Sequence, residues 1–551
     1  MQLRLISENL LTYYRNKYGP VAGSVESTDA SPLHAALREL EEETSLTPPS
    51  IQLFRHGKPY SFTDKSANRD WTINPFGFTL HNPSRSTATT SSSSSQNGCQ
   101  NEAASIRLDW EHSSYQWFSI PDAISLSEAE GVPNLLKSLR RVLFEIDLGP
   151  AAGAVLRNGL RELQADHNSG ARQLASKALR IFIDVVRRLD NDVDKETWWQ
   201  NVRFAGWHLW KNGRESMGAS ILTVMLQSFA IITQTRGSSQ ERLIPQRIGK
   251  IVTALEHYAS QREERGYQAI TKHLNSLLIS SQRIAKASNT YDATNTSGLG
   301  SEYQPLRILT LLSTSSITSR FLQLLESRQP PRPIEIHILE ARLTFKGASL
   351  AHRLASAITT PTSSIEPPTP NSSQANQARH QVSITIHTDS SVAIASRNID
   401  YLLLDADIIS PNGNVSNKTG SLPAILVAKH ISPKVKVIVV AEKEKITPFG
   451  RDGSEASEKD DPEEVTKSCS PVQGQNTGNN SITAQGELQG DESCEMAGFK
   501  KEHLGGKNVF ECVDSNLIDL YITEEGIMSR KEIQETARDV GGMYNEYLDK
   551  L

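Results

Sequence analysis

Three hydrophobic patterns follow one another along this chain of 551 residues. In residues 1–81 and 106–127, short strand-like runs (IQLFRH, INPFGFTL, YQWFSI) surround one helical pattern from about Ser31 to Glu43. Residues 134–283 keep a helical period throughout. Leu174, Ala178, Leu179, Phe182, Val185, Val186 and Leu189 recur at the spacing of one buried face. Val202, Ala205, Leu209, Ile221, Met225 and Phe229 continue it. From residue 304 the period changes. The runs 306–312, 334–339, 382–387, 401–404 and 435–441 are short, apolar and β-branched, as strands buried on both faces are. Helical patterns at 316–327, 348–358, 390–397 and 419–430 separate them. Strand and helix in alternation predict a doubly wound parallel sheet, whose ligands bind beyond the carboxyl ends of the strands. The loops starting at Ser313, Glu340, Asp389 and Asp405 are where chemistry is expected.

Polar stretches punctuate these regions at 82–105, 284–303, 359–380 and 447–508. They hold too little apolar surface to offset the entropy of ordering, so they read as disordered insertions and a linker. The expected organisation is therefore a mixed strand and helix domain over 1–130, a helical domain over 134–283, and a parallel-sheet domain over 304–545. Composition adds limits. With 37% hydrophobic residues and a net charge of −5, no strongly basic face is required, and direct nucleic-acid binding is not expected. The four cysteines form no CxxC pair, which argues against a disulfide scaffold or zinc ribbon and fits a reducing compartment. No apolar run approaches about 18 residues and the N-terminus lacks a signal-peptide core. A cytoplasmic protein without a membrane span is expected.

Within GSVESTDASPLHAALRELEEETSL (23–46), Glu39, Glu42 and Glu43 recur at i, i+3, i+4 and so share a helix face. Such a face either is solvated or gathers a hard divalent cation. The segment resembles the Nudix hydrolase signature. Gly23 and Asp29 begin the match, and Arg38, Glu39, Leu40, Glu42, Glu43 and Leu46 complete it. The resemblance covers roughly residues 10–130 and implies an α/β/α domain. It also implies that Glu39, Glu42 and Glu43 are metal ligands for Mg²⁺ or Mn²⁺, with Glu42 and Glu43 catalytic in hydrolysis of nucleoside diphosphate-linked substrates. Two departures stand out: one extra residue separates Asp29 from Arg38, and Ser45 replaces the glycine that ends the helix.

A second resemblance spans roughly 150–545. DHNSGARQLASKAL (166–179), RESMGASI (214–221), RILTLLSTSSI (307–317), HILEARLTFKGASLAHRLA (337–355), IHTDSSVA (386–393), the LLLDAD…NGNVSNKTGS block (402–421) and FECVDSNLIDLYITEEGIM (510–528) follow in order. They resemble the alpha/beta/delta subunits of eukaryotic translation initiation factor 2B. That superfamily also holds methylthioribose-1-phosphate and ribose-1,5-bisphosphate isomerases. The resemblance implies a Rossmann-like sheet, a regulatory or ligand-sensing role in translation initiation or guanine-nucleotide exchange, a nucleotide or sugar phosphate as ligand, and homo- or hetero-oligomers.

The residues themselves suit that reading. Asp405 and Asp407 follow a buried strand. Asn417 and Lys418 precede a helix start at Thr419–Gly420, whose N–H groups would receive an anion, with Lys418 as a point charge. A helix cap and a solvated lysine are the plainer alternatives for the pair. Ser313 opens a hydroxyl-rich loop that would cradle phosphate; Ser316 serves equally as an N-cap. Arg214 and Arg342 offer planar forks for phosphate, Arg342 competing with an ion pair to Glu340. By the resemblance, Asp407 stands where the isomerases carry a catalytic aspartate, Leu312 replaces their cysteine, and Lys346 replaces a sugar-binding glutamine. Leucine cannot ionise, so isomerase chemistry is not expected.

Overall fold

The computed structural model describes residues 2–8, 17–64, 68–80, 106–110, 112–127, 129–166, 169–190, 193–237, 245–288, 305–311, 333–342, 345–359, 382–450 and 510–551. The expected disordered stretches lie almost wholly outside them, as do Leu312, Ser313 and the pattern at 316–327. Contacts divide the chain into two compact units, Met1–Gln261 with Gly542–Leu551, and Arg262–Gly541.

In the first unit, β1 (Gln2–Glu8) pairs antiparallel with β2 (Tyr18–Gly19) on one side. Helix α1 (Pro32–Thr44) begins at Ser31, whose hydroxyl accepts from the His34 N–H, with Pro32 preset in the first turn. It ends at Ser45, which takes the left-handed conformation (φ 57°) and donates its N–H to Glu41. Two hairpin-like pairs follow: β3 (Ile51–His56) with β6 (Phe76–Leu80), and β4 (Tyr60–Asp64) with β5 (Arg69–Ile73). Strand β7 (His112–Ser119) returns to pair antiparallel with β1.

The helices of this unit are α2 (Ile120–Ser125), α3 (Leu135–Val142), α4 (Glu145–Ala165), α5 (Ala171–Arg188), α6 (Lys195–Asn212) and α7 (Gly218–Arg236). Every apolar position that the helical period singled out in α5, α6 and α7 is buried. Helix α7 is long and apolar enough to cross a membrane; its Ile221, Val224, Met225 and Phe229 are fully enclosed by protein. The strand region is joined to the helices by buried polar contacts. Arg55, held between the rings of Phe54 and Phe144, pairs twice with Glu145 at 2.8 Å, and the Asn212 side chain bridges the His56 N–H and C=O. One compact unit thus takes in both regions that the hydrophobic pattern sets apart. Helix α8 (Pro245–Ser288) runs beyond residue 283, because Ala285, Lys286 and Ala287 are good helix formers; the expected linker starts later.

The second unit is a seven-stranded sheet. Its strands are β8 (Leu306–Thr310), β9 (Ile334–Leu339), β10 (Val382–His387), β11 (Tyr401–Leu404), β14 (Lys436–Val440), β16 (Leu520–Thr523) and β17 (Gly526–Met528). A small side sheet holds β12 (Ile408–Ile409), β13 (Val415–Lys418) and β15 (Phe510–Val513). The order of the main sheet is β10-β9-β8-β11-β14-β16-β17, parallel except for β17. Helices α9 (Lys346–Thr359), α10 (Val392–Ala395), α11 (Ser421–Ile431) and α12 (Arg530–Tyr544) accompany it. Two apolar cores cover its faces, one with Leu309, Leu402, Val439 and Ile425, the other with Ile308, Ile336, Ile438 and Leu350. The doubly wound sheet is as the alternation predicts. Strand order reverses between β8 and β11, so the switch point lies at Leu311 and Asp405.

Candidate functional site at the switch point

Four side chains meet beyond the ends of β11 and β14. Asp405 and Lys445 are almost wholly buried and pair at 2.9 Å; Lys445 also pairs with Glu442 at 3.1 Å. The turn after β14 spells Glu442, Lys443, Glu444, Lys445, and each charge finds a different neighbour. Lys443 pairs with Glu525 at 2.7 Å, and Glu444 takes the Arg262 guanidinium. Sequence reading singled out neither Glu442 nor Lys445, since their partners become adjacent only through parallel pairing of β11 with β14.

Asp407 stands beside this bridge, buried, with its N–H donated to Ser416 O at 2.9 Å. Its carboxylate accepts no hydrogen bond from the described residues. Burial pushes its pKa up to about 6; Lys445 pulls it down, Asp405 up, and Lys418 and Lys346 down. A buried carboxyl group that titrates near neutrality and is not consumed by a protein donor can hold a hydroxyl group or exchange a proton.

Asn417 is structural: its side-chain NH₂ donates to Asp405 O at 2.8 Å, and its Oδ1 accepts the Lys418 N–H at 2.9 Å. The pair sits at the end of β13, just ahead of the helix start. Gly420 turns the chain with φ 107°, in reach of Leu311 at the switch point, and α11 begins at Ser421. An outward-facing N–H group of this helix end is taken. Glu511, opposite Asn417 in the β13–β15 register, accepts the Leu422 N–H at 2.7 Å, and the nearby Gly420 and Ser421 amides favour its charged form while burial pushes its pKa up. The anion expected at this helix end is the protein's own. Lys418 makes no ion pair with the described residues.

Arg342 is exposed and pairs with Glu340 at 3.4 Å, while Asp389 accepts the backbone N–H groups of Ala341 and Arg342. Asp407, Asn417 and Lys418 therefore come together, with Arg342 on the β9 loop of the same unit. Arg214 belongs to the first unit, where it donates to Asp166 O.

On α1, Arg38 gathers the acids. It forms two bonds to Asp29 (3.0 and 3.3 Å), and its Nη1 meets Glu39 at 2.8 Å and Glu42 at 3.1 Å. The extra residue before Arg38 does not prevent the Asp29 contact. Gly23 lies so close to Glu39 that a Cβ would stand 1.8 Å from the carboxyl carbon. The Arg38 hydrogen bond holds Asp29 below its usual range. Glu43 points elsewhere: it is buried, 3.5 Å from the His112 ring. The three glutamates thus do not converge, and among the described residues no three acidic, His or Cys groups are placed to hold a metal ion together. As placed, this donor set does not fit a divalent cation.

Residues 371–530 match the Initiation factor 2 subunit family, and residues 5–142 match the NUDIX domain. The chain joins a NUDIX domain to an IF-2B domain. Over 157 residues it is 28% identical to the methylthioribose-1-phosphate isomerase of Neosartorya fischeri, a match covering 26% of this chain and 36% of that relative. The chain therefore spans about a third of that relative's length. Among solved structures, the Pyrococcus horikoshii translation initiation factor eIF-2B is 16% identical, with a TM-score of 0.41 over 69% of this chain and 98% of that one. The tetrameric eIF2B-beta2-delta2 complex of C. thermophilum is 11% identical, with a TM-score of 0.42 over 72% and 98%. The P. horikoshii 5-methylthioribose 1-phosphate isomerase is 13% identical, with a TM-score of 0.40 over 70% and 87%.

Proposed function

We propose that this protein is a ligand-sensing, non-isomerising relative of the initiation factor 2B subunits that binds a nucleotide or sugar phosphate at the switch point of its IF-2B domain. The carrying observation is Asp407, a buried carboxyl group with no donor among the described residues, beside a lysine without an ion pair. Asp407 takes a ligand hydroxyl and Lys418 contributes positive charge toward phosphate. Leu312 in place of a cysteine leaves the acid/base pair incomplete, which favours sensing over isomerisation. The reading includes a cytoplasmic location, a role in translation initiation or exchange control, and association of several copies.

The test is a thermal-shift screen of nucleotides and sugar phosphates, since a ligand that binds only the native state raises the melting temperature. A shift reduced in both Asp407→Asn and Lys418→Ala is expected. Lys418→Ala should weaken binding by about 1.5–3 kcal/mol, the range for a hydrogen bond to a charged group. Shifts unaffected by either substitution, or turnover of methylthioribose-1-phosphate by the unaltered protein, would sink this reading.

A second reading rests on the NUDIX domain: a hydrolase requiring Mg²⁺ or Mn²⁺ on Glu39, Glu42 and Glu43. The match of residues 5–142 to the NUDIX domain favours it. It requires Glu39 and Glu42 to leave Arg38 and Glu43 to leave His112. Hydrolysis of nucleoside diphosphate conjugates that disappears in Glu42→Gln and Glu43→Gln would put it first.

A further inference from the structure

We propose that Lys58 is a site of reversible carbamylation, its buried amine adding carbon dioxide to give a carbamate held by the guanidinium groups of Arg141 and Arg203. Lys58 lies between β3 and β4, Arg141 on α3 and Arg203 on α6, and all three are buried. They meet at the last turn of the first unit, the short π-helical stretch Asn545–Asp549 and the residues after it. Arg203 Nη1 donates to Tyr547 O at 3.4 Å, Lys58 Nζ to Asp549 O at 3.3 Å, and Arg141 Nη1 to Leu551 O at 3.0 Å. Cations from three elements thus converge on oxygens at every second residue of one short segment.

Negative side chains are scarce around them. Lys58 is bonded to a backbone carbonyl and forms no ion pair with the described residues. Arg203 meets the exposed Glu196 only at 3.4 Å, and its own Nε–H is buried without an acceptor. Arg141 donates one N–H to Leu551 and otherwise lies over the rings of Phe204 and Tyr60, at 4.9 and 5.6 Å. Buried cations with few carboxylates and unused donors are costly, and an anion formed among them is stabilised.

Carbamylation makes that anion out of the lysine itself. A lysine amine attacks only when neutral. Burial and the charge of Arg141 lower the pKa of Lys58 to about 8, with Arg203 adding to the fall and the exposed Asp549 opposing it. At pH 7 the neutral fraction is then about a hundredfold above that of an ordinary surface lysine. The nitrogen lone pair forms a C–N bond to the carbon of carbon dioxide. One C=O electron pair moves onto oxygen, and one N–H proton leaves to water. The nitrogen keeps an N–H for Asp549 O, and the two carbamate oxygens accept from the guanidinium groups. Carbon dioxide is small and uncharged, which suits a buried amine.

The experiment is carbon-13 NMR of the full chain under carbon-13-labelled carbon dioxide at pH 7 and pH 8, with dissolved carbon dioxide held constant. The wild type should show a carbamate resonance that is missing from Lys58→Arg and from Lys58→Met and that grows between the two pH values. Resonances from the α-amino group and surface lysines persist in every variant and are thereby distinguished. Arg203→Met should weaken the Lys58 resonance about tenfold, the effect of one lost charge-assisted hydrogen bond. Arg203→Lys, which keeps a buried cation and guards against loss of folding, should weaken it less. Identical spectra for the wild type and the Lys58 variants would overturn the proposal. So would a Lys58 resonance of unchanged intensity in both Arg203 variants, because the carbamate would then not be held by that guanidinium.

Discussion

Replacing Asp407 by asparagine should make the IF-2B domain more stable at neutral pH and weaken ligand binding. Asp407 has a pKa near 6 in the folded protein against a reference of 3.8, so the folded state holds its proton about two units more tightly. Each unit corresponds to about 1.4 kcal/mol, which sets a ceiling of about 3 kcal/mol. The direction follows from proton binding. Below about pH 4 both states carry the proton and the group contributes no difference. Between about pH 4 and 6 the unfolded chain ionises while the folded chain does not, so stability falls as pH rises. Above about pH 6 the folded protein carries a buried charge and the penalty is complete. Asparagine has the same shape and no charge, so the penalty vanishes.

All seven tryptophans precede residue 211, outside the second unit, and their fluorescence would report the wrong part of the molecule. Hydrogen exchange of the β11 and β14 amides is the better measurement. The variant should exchange more slowly than the wild type at pH 7, by up to the ceiling above, and equally at pH 4 after correction for intrinsic rates. Faster exchange in Asp407→Asn at pH 7, or a difference independent of pH, would refute this account of the site's electrostatics.

Further outcomes can be checked on the same protein. Arg55→Met should cost about 3–5 kcal/mol in the first unit, because Glu145 is left buried without its main partner, and adding Glu145→Gln should recover much of the loss. Chemical denaturation measures both, and a mild single mutant with no recovery would count against the link between strand and helix regions. By the same contacts, a protein starting at residue 134 should melt at lower temperature than the full chain. Ser45→Gly should raise stability by about 1 kcal/mol, since serine holds a left-handed backbone there. A lower melting temperature would show that the serine side chain matters more than its φ. His337 Nδ1 and His387 Nε2 lie 3.0 Å apart between β9 and β10, and burial lowers both pKa values, with His387 lowering that of His337 further. The pair's stability should therefore be lost as pH falls through the unfolded value of about 6.5. Faster exchange of the β10 amides at pH 5 than at pH 7, abolished by His387→Gln, is the expected signature.

The parallel sheet was legible because apolar, β-branched runs have few other uses; 334–339, 382–387 and 401–404 are strands with those bounds. Helix α1 was legible from Ser31, Pro32 and the period that follows. The candidate site was legible only in part. Asp405 and Asp407 announce themselves as acids after a buried strand, but Lys445 looks like any lysine in a charged turn. Glu511 was harder still. It lies 89 positions from Leu422, beyond the long polar stretch, and nothing local marks a glutamate in FECV as a helix cap. Glu43 shows the opposite failure. Its spacing with Glu39 suggests a shared face, yet the helix turns it toward His112, a neighbour supplied by β7.

The alternating turn Glu442–Lys445 has a consequence for how this chain can change. Its four charges are sorted by parity: the two lysines meet acids in separate loops, Asp405 after β11 and Glu525 between β16 and β17, and the second glutamate meets Arg262. Removing or adding one residue between β14 and that turn would shift every sign by one place. An insertion would set a glutamate against Asp405 and a lysine against Arg262; a deletion would set Ile446 against Asp405, leaving that carboxylate without its lysine, and again a lysine against Arg262. The turn therefore works as a reading-frame check written in charge. Substitutions of single residues within it are repairable by a second change elsewhere, whereas a one-residue insertion or deletion meets several buried penalties at once. Variation in loop length, tolerated at most surface turns, should be filtered out at this one.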